Sequence, residues 1–586
     1  MDDFIAAYLA EGALPKSKGG GAPDAPPQER MVAASRNTAF YNAHSYHTKV
    51  PPEAIRPFIE HFTKPGDVVL DPFCGSGMTG VAVAMTGRRA ILNDLSTAAA
   101  HLSFNHTRAC DGVALADAFE RVAQDVAEDF QRYYATRDET GKPATIRWTL
   151  WSTRHACPTC ETEFLLWDTV DRKSGRLTRG TTCPECEYRA DRGKFSVRGK
   201  EPAHIAFARE DGSRGERPAT KQDRRDAARL AKEEDSAPFP DVALESDREM
   251  YQRCALHLQG VRAVRDMYTD RNRLALARLW QAVLADPDER MRAALAFAFT
   301  NTAWHGTKMR RFNARGGHRP LTGTLYVPQL SAEVNVLHVM KRKIGQLRSY
   351  YRAFTPTTEN PPHIMCGSAT ALTGVSDNSV DYIFTDPPFG SNIFYADCNL
   401  IWEAWLGRVT DQAEEAVVNR SLAVSRGGKS LEDYGRLMAQ SLNEMARVLK
   451  PGGWATVVFH NTDKAVWRAL SEAATAAGFE FHEAASLDRK QQSHKGYKGR
   501  GGKENVAHFD VVMNLRKPTL ANSASPAKRA GFDLVRMVAE VSAEPAFGNR
   551  GAQGVHAEIM RRLMSAGQTE FPDFQDVRKV LERAVA

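Results

Sequence analysis

The sequence predicts an α/β fold, a Rossmann-like sheet split into two halves by a large insertion and followed by a small helical region. Three observations carry that expectation. A strand–turn–helix–strand unit stands near residue 70. The same alternation of apolar strands and amphipathic helices returns after residue 378. Between them lie about 250 residues of different character, too many for a connection and enough for a domain.

Residues 12–30 (GALPKSKGGGAPDAPPQER) are rich in Gly and Pro and poor in large apolar groups, so residues 1–38 read as a disordered lead. From about Ala39 the pattern changes. PPEAIRPFIEHF has helical spacing, DVVLDPF is a short apolar strand ending in a turn, GVAVAMTG resumes a helix, and AILNDLS is a second strand. Residues 39–107 are therefore one half of the sheet. The other half, 356–518, shows a strand in VDYIFTDPPF, a helix in DYGRLMAQSLNEMARVLKPGG, and a strand in WATVVFH. A helix in AVWRALSEAATAAGF and a strand in HFDVVMNL follow. The insertion, 108–355, holds a helical segment, two cysteine pairs within about residues 150–200, and a charged tract at 210–240 that reads as a solvated linker or exposed helix. A mainly helical run follows from about Arg248 to Phe312. Residues 519–586 form a Ser/Pro/Ala linker and two or three amphipathic helices, FDLVRMVAEV, HAEIMRRLMSA and FQDVRKVLERAV.

Composition narrows the class. The 586 residues are 42% hydrophobic and 25% charged, with a mean hydropathy of −0.44. No apolar run approaches the ~18 residues of a membrane span. The opening Met-Asp-Asp lacks a basic segment followed by an apolar core, which predicts a cytoplasmic protein with no membrane association. Lys and Arg (78) exceed Asp and Glu (71) for a net charge of +7, a mild excess compatible with a polyanionic partner.

The stretch Asp71-Pro72-Phe73-Cys74-Gly75-Ser76-Gly77-Met78-Thr79 joins an apolar strand to a helix. Gly-x-Gly at that junction lets the backbone approach a ligand and presents unpaired helix N–H groups to it. A P-loop would need Lys-Ser/Thr after the glycines, and the dinucleotide fingerprint would need its third glycine in register. Neither is present. Asp94, at the end of the next strand, is placed to accept hydrogen bonds from ribose hydroxyls, so the pair implies a nucleoside cofactor.

Asp-Pro-Phe-x-Gly-Ser-Gly resembles the S-adenosylmethionine motif of the amino-methylating DNA methyltransferases. His47-Thr48-Lys49-Val50-Pro51 resembles the segment of that family that closes over the methionine end of the cofactor. The resemblance implies a methyltransferase sheet, with Thr48, Asp71, Phe73, Gly75 and Gly77 on the methionine and backbone side and Asp94 on the ribose. Gly367-Ser368-Ala369 stands where relatives often carry Gly-Asp-Ala, which gives Ser368 the adenine contact.

Asp386-Pro387-Pro388-Phe389 follows directly on the strand VDYIF. An exocyclic amine on a base is a poor nucleophile because its lone pair is delocalised into the ring. A carboxylate accepting one N–H and a fixed backbone carbonyl accepting the other localise that pair toward the methyl donor, and two prolines hold the carbonyl in place. Asp386 fits the first acceptor, the Pro387 carbonyl with Pro388 the second, and Phe389 a stacking platform. The stretch resembles the Asp/Asn/Ser-Pro-Pro-aromatic motif of the same family, whose members take the target base out of the duplex. Motif order, cofactor half before catalytic half, resembles the α-type arrangement with target recognition between them. Asp in first place leans to adenine N6, because cytosine N4 enzymes more often have Ser there.

Cys157-Pro-Thr-Cys160 and Cys183-Pro-Glu-Cys186 can set four thiolates around a structural Zn²⁺. A ribbon inside the insertion resembles adenine-specific DNA methylases with a zinc ribbon. Two basic loops suit DNA phosphates. One holds Lys308, Arg310, Arg311, Arg315 and Arg319, with Phe312 able to stack. The other holds Arg489, Lys490, Lys495, Lys498, Arg500 and Lys503, with Tyr497 in the same role. The expectation is thus a site-specific DNA methyltransferase that uses S-adenosylmethionine and structural Zn²⁺ on duplex DNA. Cytosine N4, an RNA amino group, and a zinc-ribbon DNA-binding scaffold with an inactive methylase fold are the competing readings. A restriction or defence-system partner, the oligomeric state, the recognition sequence and the role of residues 519–586 stay open at this stage.

Overall fold

The structure is a computed structural model. It describes residues 9, 14–17 and 37–586, except 171–179, 235–236, 315, 358–359, 460, 462, 489–508, 520–530, 545–550, 567, 569 and 586. Most of the lead expected at 1–38 lies outside the described residues.

Seven strands make the central sheet. They are β1 (Val68–Asp71), β2 (Arg89–Asp94), β3 (His363–Cys366), β4 (Val380–Thr385), β5 (Leu449–Phe459), β6 (Glu480–Asp488) and β7 (Phe509–Arg516). Their order is β3-β2-β1-β4-β5-β7-β6. β1 to β5 run parallel, and β7 lies antiparallel to both β5 and β6. β1 and β4 are buried at every position, as expected for strands covered on both faces. This is the split, mainly parallel α/β sheet that the sequence predicts, with the two halves joined by β1 and β4. The register Val69↔Tyr382 and Leu70↔Ile383 brings the carboxyl ends of these strands together. Strand order reverses there, which in open α/β sheets is where ligands bind.

Helix α1 (Pro52–Phe62) begins with Pro51 as N-cap and Pro52 at the first helical position, where a missing N–H costs nothing. Helix α2 (Met78–Ala84) follows β1, and α3 (Thr97–Thr107) follows β2 with the Ser96 hydroxyl accepting the Ala99 N–H. Every residue of α3 is buried. Its outer side is covered by insertion helices, and Phe297 and Tyr350 pack on His106 at 4.8 and 5.5 Å. The insertion, expected as a module of its own, shares one apolar core with the cofactor half through α4 (Asp270–Leu284), α5 (Glu289–His305) and α6 (Val336–Ala353).

The insertion also contains a six-stranded antiparallel sheet that the sequence reading did not anticipate. Its two long strands, Pro143–Ala156 and Ser196–Arg209, pair with each other. Leu330–Val334 closes one edge and Arg214–Pro218 the other. In the charged tract the helix Lys221–Leu230 forms with a complete capping box at Thr220 and Asp223. After β7, helices α7 (Leu534–Ala543), α8 (Gly551–Ser565) and α9 (Phe574–Val585) match the three amphipathic stretches. They pack their apolar faces on the catalytic half.

Sheet and helices of the insertion are joined by a buried ion pair. Arg271 of α4 donates to Glu333 on Leu330–Val334, and the Thr269 hydroxyl donates to the same carboxylate. Arg271 Nε reaches the Tyr133 carbonyl at 2.8 Å. Both charges are buried, at 4% and 3% exposure, so removing one strands the other. Glu333→Ala should destabilise the protein by about 3–5 kcal/mol. The double substitution Arg271→Met, Glu333→Leu should restore most of that loss in urea unfolding. Equal losses in the single and double variants would show that the pair is not the joint.

Candidate active site

The cofactor turn takes its shape from two glycines and an acid. Gly75 and Gly77 have φ of +49° and +77°, the left-handed region that glycine enters at least cost. A Cβ at Gly75 would lie 2.9 Å from Tyr46 Cε1, and one at Gly77 only 2.7 Å from Ser103 Cα. Gly77, expected as a ligand contact, serves the approach of α3 to α2, and the cavity described below is lined by Gly75. Asp71 is a brace as well as a wall. Its Oδ1 accepts from the Phe73 N–H (3.2 Å) and the Thr385 hydroxyl (2.9 Å), and its Oδ2 from the Thr79 hydroxyl (2.6 Å). One carboxyl thus ties the turn, helix α2 and strand β4.

Asp94 Oδ2 accepts the Gly75 N–H at 2.8 Å and Oδ1 the Ser96 N–H at 3.0 Å. Each carboxylate oxygen can accept a second hydrogen bond, which is what a vicinal diol requires. Burial pushes the Asp94 carboxyl up to about 6 and that of Asp71 up to about 7, against the backbone and hydroxyl donors that favour the charged forms. Ser368 shares a hydrogen bond with the Thr370 hydroxyl at 2.8 Å.

At the end of β4 the catalytic turn is held by its own carbonyls. The Tyr434 hydroxyl donates to the Pro388 carbonyl at 2.9 Å, and Asn461 Nδ2 to the Phe389 carbonyl at 2.8 Å. Phe389, expected as a stacking platform, points into the core. It is 5% exposed, with its ring edge-to-face on Phe459 at 5.3 Å. The buried side of the sheet needs an apolar group at that position, and the sequence pattern does not distinguish the two uses.

One cavity of about 990 Å³, its open mouth included, joins the two turns. Thr48, Asp71, Phe73, Gly75, Asp94 and Ser368 line it from the expected cofactor set, and Asp386 and Pro388 from the catalytic set. Pro387 is buried beneath them. The wall also includes residues that sequence reasoning missed, among them Tyr46, Tyr395, Thr410 and Glu415. Tyr46 stacks between Tyr395 and Trp402, each at 6.1 Å, and the Tyr395 hydroxyl is 2.8 Å from Thr48 Oγ1. Glu403, itself buried, accepts from Ser96 Oγ and from Thr410 N and Oγ1 (2.8 and 2.6 Å), fixing both rims of the cavity beside Asp94. Aromatic residues beyond the catalytic motif were the available signal, but no spacing rule points to them.

The four cysteines come together in the insertion. Their sulfurs lie within 4.8 Å of one another, with Cys157–Cys186 at 3.6 Å and Cys160–Cys183 at 3.7 Å. Tetrahedral thiolates at ~2.3 Å from a central ion stand ~3.8 Å apart. The two knuckles repeat each other. Glu161 and Glu187 turn left-handed at φ of +61° and +59°, and their N–H groups donate to Cys157 and Cys183 carbonyls. The donor set and spacing fit a closed four-coordinate metal site.

The basic loops fare unevenly. Arg310 is buried at 7% exposure, its Nη1 is 3.0 Å from His305 Nδ1, and burial brings the guanidinium down to about 9, so it is a core group and not a phosphate contact. Phe312, expected as a base platform, packs against Trp167 at 5.3 Å and on His318 at 5.1 Å. Arg311 is exposed. Arg315, Lys495, Tyr497, Lys498 and Arg500 lie outside the described residues.

Sheet and cavity define an α/β domain with a ligand site at the switch point of its strands, and comparison with known proteins finds methylases over part of its first half. Residues 26–105 match a family model described as DNA methylase. A 52-residue stretch is 48% identical to YubD of Escherichia coli (strain K12), named as a methylase, covering 9% of this chain and 23% of that one. A stretch of the same length is 50% identical to the type II methyltransferase M.XycI of Xanthomonas campestris pv. cyanopsidis, covering 9% and 17%. The chain thus spans less than a quarter of the length of these curated relatives. Among solved structures, TTHA0409 of Thermus thermophilus, titled a DNA modification methylase, is 14% identical over 30% of this chain and 62% of that one, with a TM-score of 0.15. A score that low assigns neither fold nor function. Among the described residues no helix is long and apolar enough to cross a membrane.

Asp71 and Asp94 make stability depend on pH. Their folded values stand above the ~4 of an unfolded Asp, so the folded chain keeps protons that the unfolded chain releases. Their contribution is complete below about pH 4 and is lost as pH rises through about 6 to 7. The stability of the ligand-free wild type relative to Asp71→Asn should therefore fall by on the order of 2 kcal/mol from pH 5 to pH 8. A difference that stays flat across this range would mean the Asp71 carboxyl is ionised throughout.

Proposed function

We propose that the protein is an S-adenosylmethionine-dependent DNA methyltransferase that methylates an exocyclic amine, adenine N6, of a base taken out of the duplex. The observation that carries this reading is the single cavity shared by Gly75, Asp94 and Ser368 on one side and Asp386 and Pro388 on the other. The methylase match at residues 26–105 supports the cofactor side. Bound there, the cofactor would supply an electrophilic methyl group.

The chain's own residues do the rest. Asp94 and Ser368 orient the nucleoside, and the Tyr46–Tyr395 pair excludes water from the methionine side. Asp386 accepts an N–H of the amine while the turn, pinned by Tyr434 and Asn461, presents a backbone carbonyl to the other. Asp in first place favours adenine over cytosine. We assign the four-cysteine site to structural Zn²⁺, because four thiolates leave no position for water or substrate.

Purified protein incubated with labelled S-adenosylmethionine and unmethylated genomic DNA should yield N6-methyladenine on digestion. Asp386→Ala should lower the rate by at least about 10³-fold while DNA affinity stays within about twofold. N4-methylcytosine would overturn the base assignment, label in RNA alone the DNA assignment, and undiminished turnover in Asp386→Ala the catalytic one. Metal analysis should find one zinc per chain in the wild type and none in Cys157→Ser. Wild-type protein free of zinc would remove that assignment.

A further inference from the structure

The catalytic turn is hydrogen-bonded to a short loop that nothing above assigns. Gly390, four residues after Asp386, accepts the Val418 N–H at 3.4 Å, and from there the chain runs out to solvent and returns at Lys429. The base of this loop is closed twice. Asn419 N donates to the Lys429 carbonyl at 2.9 Å, and Lys429 N to Asn419 Oδ1 at 2.8 Å. The preceding residues Thr410, Glu414, Glu415 and Ala416 line the cavity, so the loop stands at its edge.

The insertion fixes the loop from the other side. Glu249, 1% exposed, takes the Ser421 and Leu422 N–H groups at 2.8 Å each, together with Arg420 N and Asn419 Nδ2 at 3.3 Å. A buried carboxylate with so many charge-assisted bonds to one strand of backbone is a rigid anchor. Next to it, Arg248 pairs with Asp397 at 3.0 Å, and the Met250 N–H binds the same carboxyl, just beyond Tyr395 of the cavity wall.

What this anchor holds out is an apolar side chain. Val424 is 64% exposed at the tip, in a single 3-10 turn (Val424–Arg426) closed by Gly427 at φ +87°. Arg420 and Arg426 are exposed on either side of it. A backbone braced by Glu249 thus presents a β-branched side chain between two cations, at the end of a loop hydrogen-bonded to the catalytic turn.

We propose that residues 419–429 are a DNA wedge, with Arg420 and Arg426 contacting phosphates and Val424 filling the space left in the stack when the target base leaves it. Apolar side chains on rigid supports unstack bases in this way, and the unstacked duplex is what an enzyme acting on an extrahelical base must hold open. The inference rests on the reading of the cavity as a base-methylating site. The insertion then contributes to target extrusion through Glu249, which is a positioning residue and touches no substrate.

The test uses the full chain. Labelled methyl transfer is measured for the wild type and Val424→Gly on native and on heat-denatured genomic DNA, with S-adenosylmethionine affinity as the check that the cavity is intact. Val424→Gly should lose about tenfold in initial rate on native DNA and less than about twofold on denatured DNA, because a single strand has no base pair to break and no gap in a paired stack to fill. Equal losses on both substrates, or none on native DNA, would overturn the wedge. Independently, Arg420→Ala with Arg426→Ala should make the salt dependence of binding to a fluorescent random-sequence duplex shallower by about 1.8 in log–log slope, about 0.9 per phosphate contact. An unchanged slope would remove the phosphate contacts. A wild type that methylates no DNA would refute the proposed function, and the slope would still decide whether the loop meets DNA.

Discussion

The parallel pairing of β1 with β4 is the constraint on which the rest depends. The two strands are more than 300 residues apart in sequence, yet their register sets Asp71 beside Thr385 and so places the cofactor turn one step from the catalytic turn. Without that pairing Asp94 and Asp386 would belong to separate sites. Closing a loop of this size is less costly than its length suggests, since loop entropy grows only logarithmically at about 0.6 kcal/mol per doubling. The covalent interruption of the sheet therefore carries a modest penalty, and the Asp71 brace with the buried strands on both sides offsets it.

The interruption also has a structural role. Every residue of helix α3 is buried although six of its eleven are polar, and the inserted helix α5 covers it, with Phe297 packed on His101 and His106. Arg248 and Glu249 reach from the insertion to the segment after the Asp386 turn, and Glu403 ties that segment back to the loop after β2 at Ser96. The cavity wall therefore has contributions from three stretches of chain, and the insertion belongs to the same rigid structure as the chemistry.

Most of the central sheet was legible because its strands are short apolar runs bounded by Gly, Pro and Asp, and because the cofactor and catalytic turns follow them immediately. Strands β3 and β6 escaped: HIMC is short and of mixed character, and EFHEAASLD has no alternation strong enough to separate it from the preceding helix. The insertion sheet was hidden differently. Its long strand Pro143–Ala156 is rich in Thr, Trp and β-branched residues, but three register shifts against Ser196–Arg209 break the period of two that would reveal it. Burial of Arg310 and Phe389 could not be read from composition either. A guanidinium or a phenyl ring is as suited to a packed interior contact as to a ligand, and tertiary structure decides between them.

The acids of the cavity bear on the charge of whatever it binds. Asp71, Asp94 and Glu415 all line it, and burial raises the carboxyls of all three toward neutrality, to about 7, about 6 and about 7. Left without a cation, such a wall holds protons near neutral pH. A ligand that brings positive charge lowers the cost of ionising these groups and takes the place of those protons, whereas a phosphate-bearing nucleotide would raise that cost further. A cationic centre is favoured here over an anionic one, and the sulfonium and ammonium of the proposed cofactor would supply it at the turn where Gly75 leaves room for a close approach. The hydrogen bonds from Thr79, Thr385, Gly75 and Ser96 keep the carboxyls oriented through that change, so the cost of ordering them is met when the chain folds.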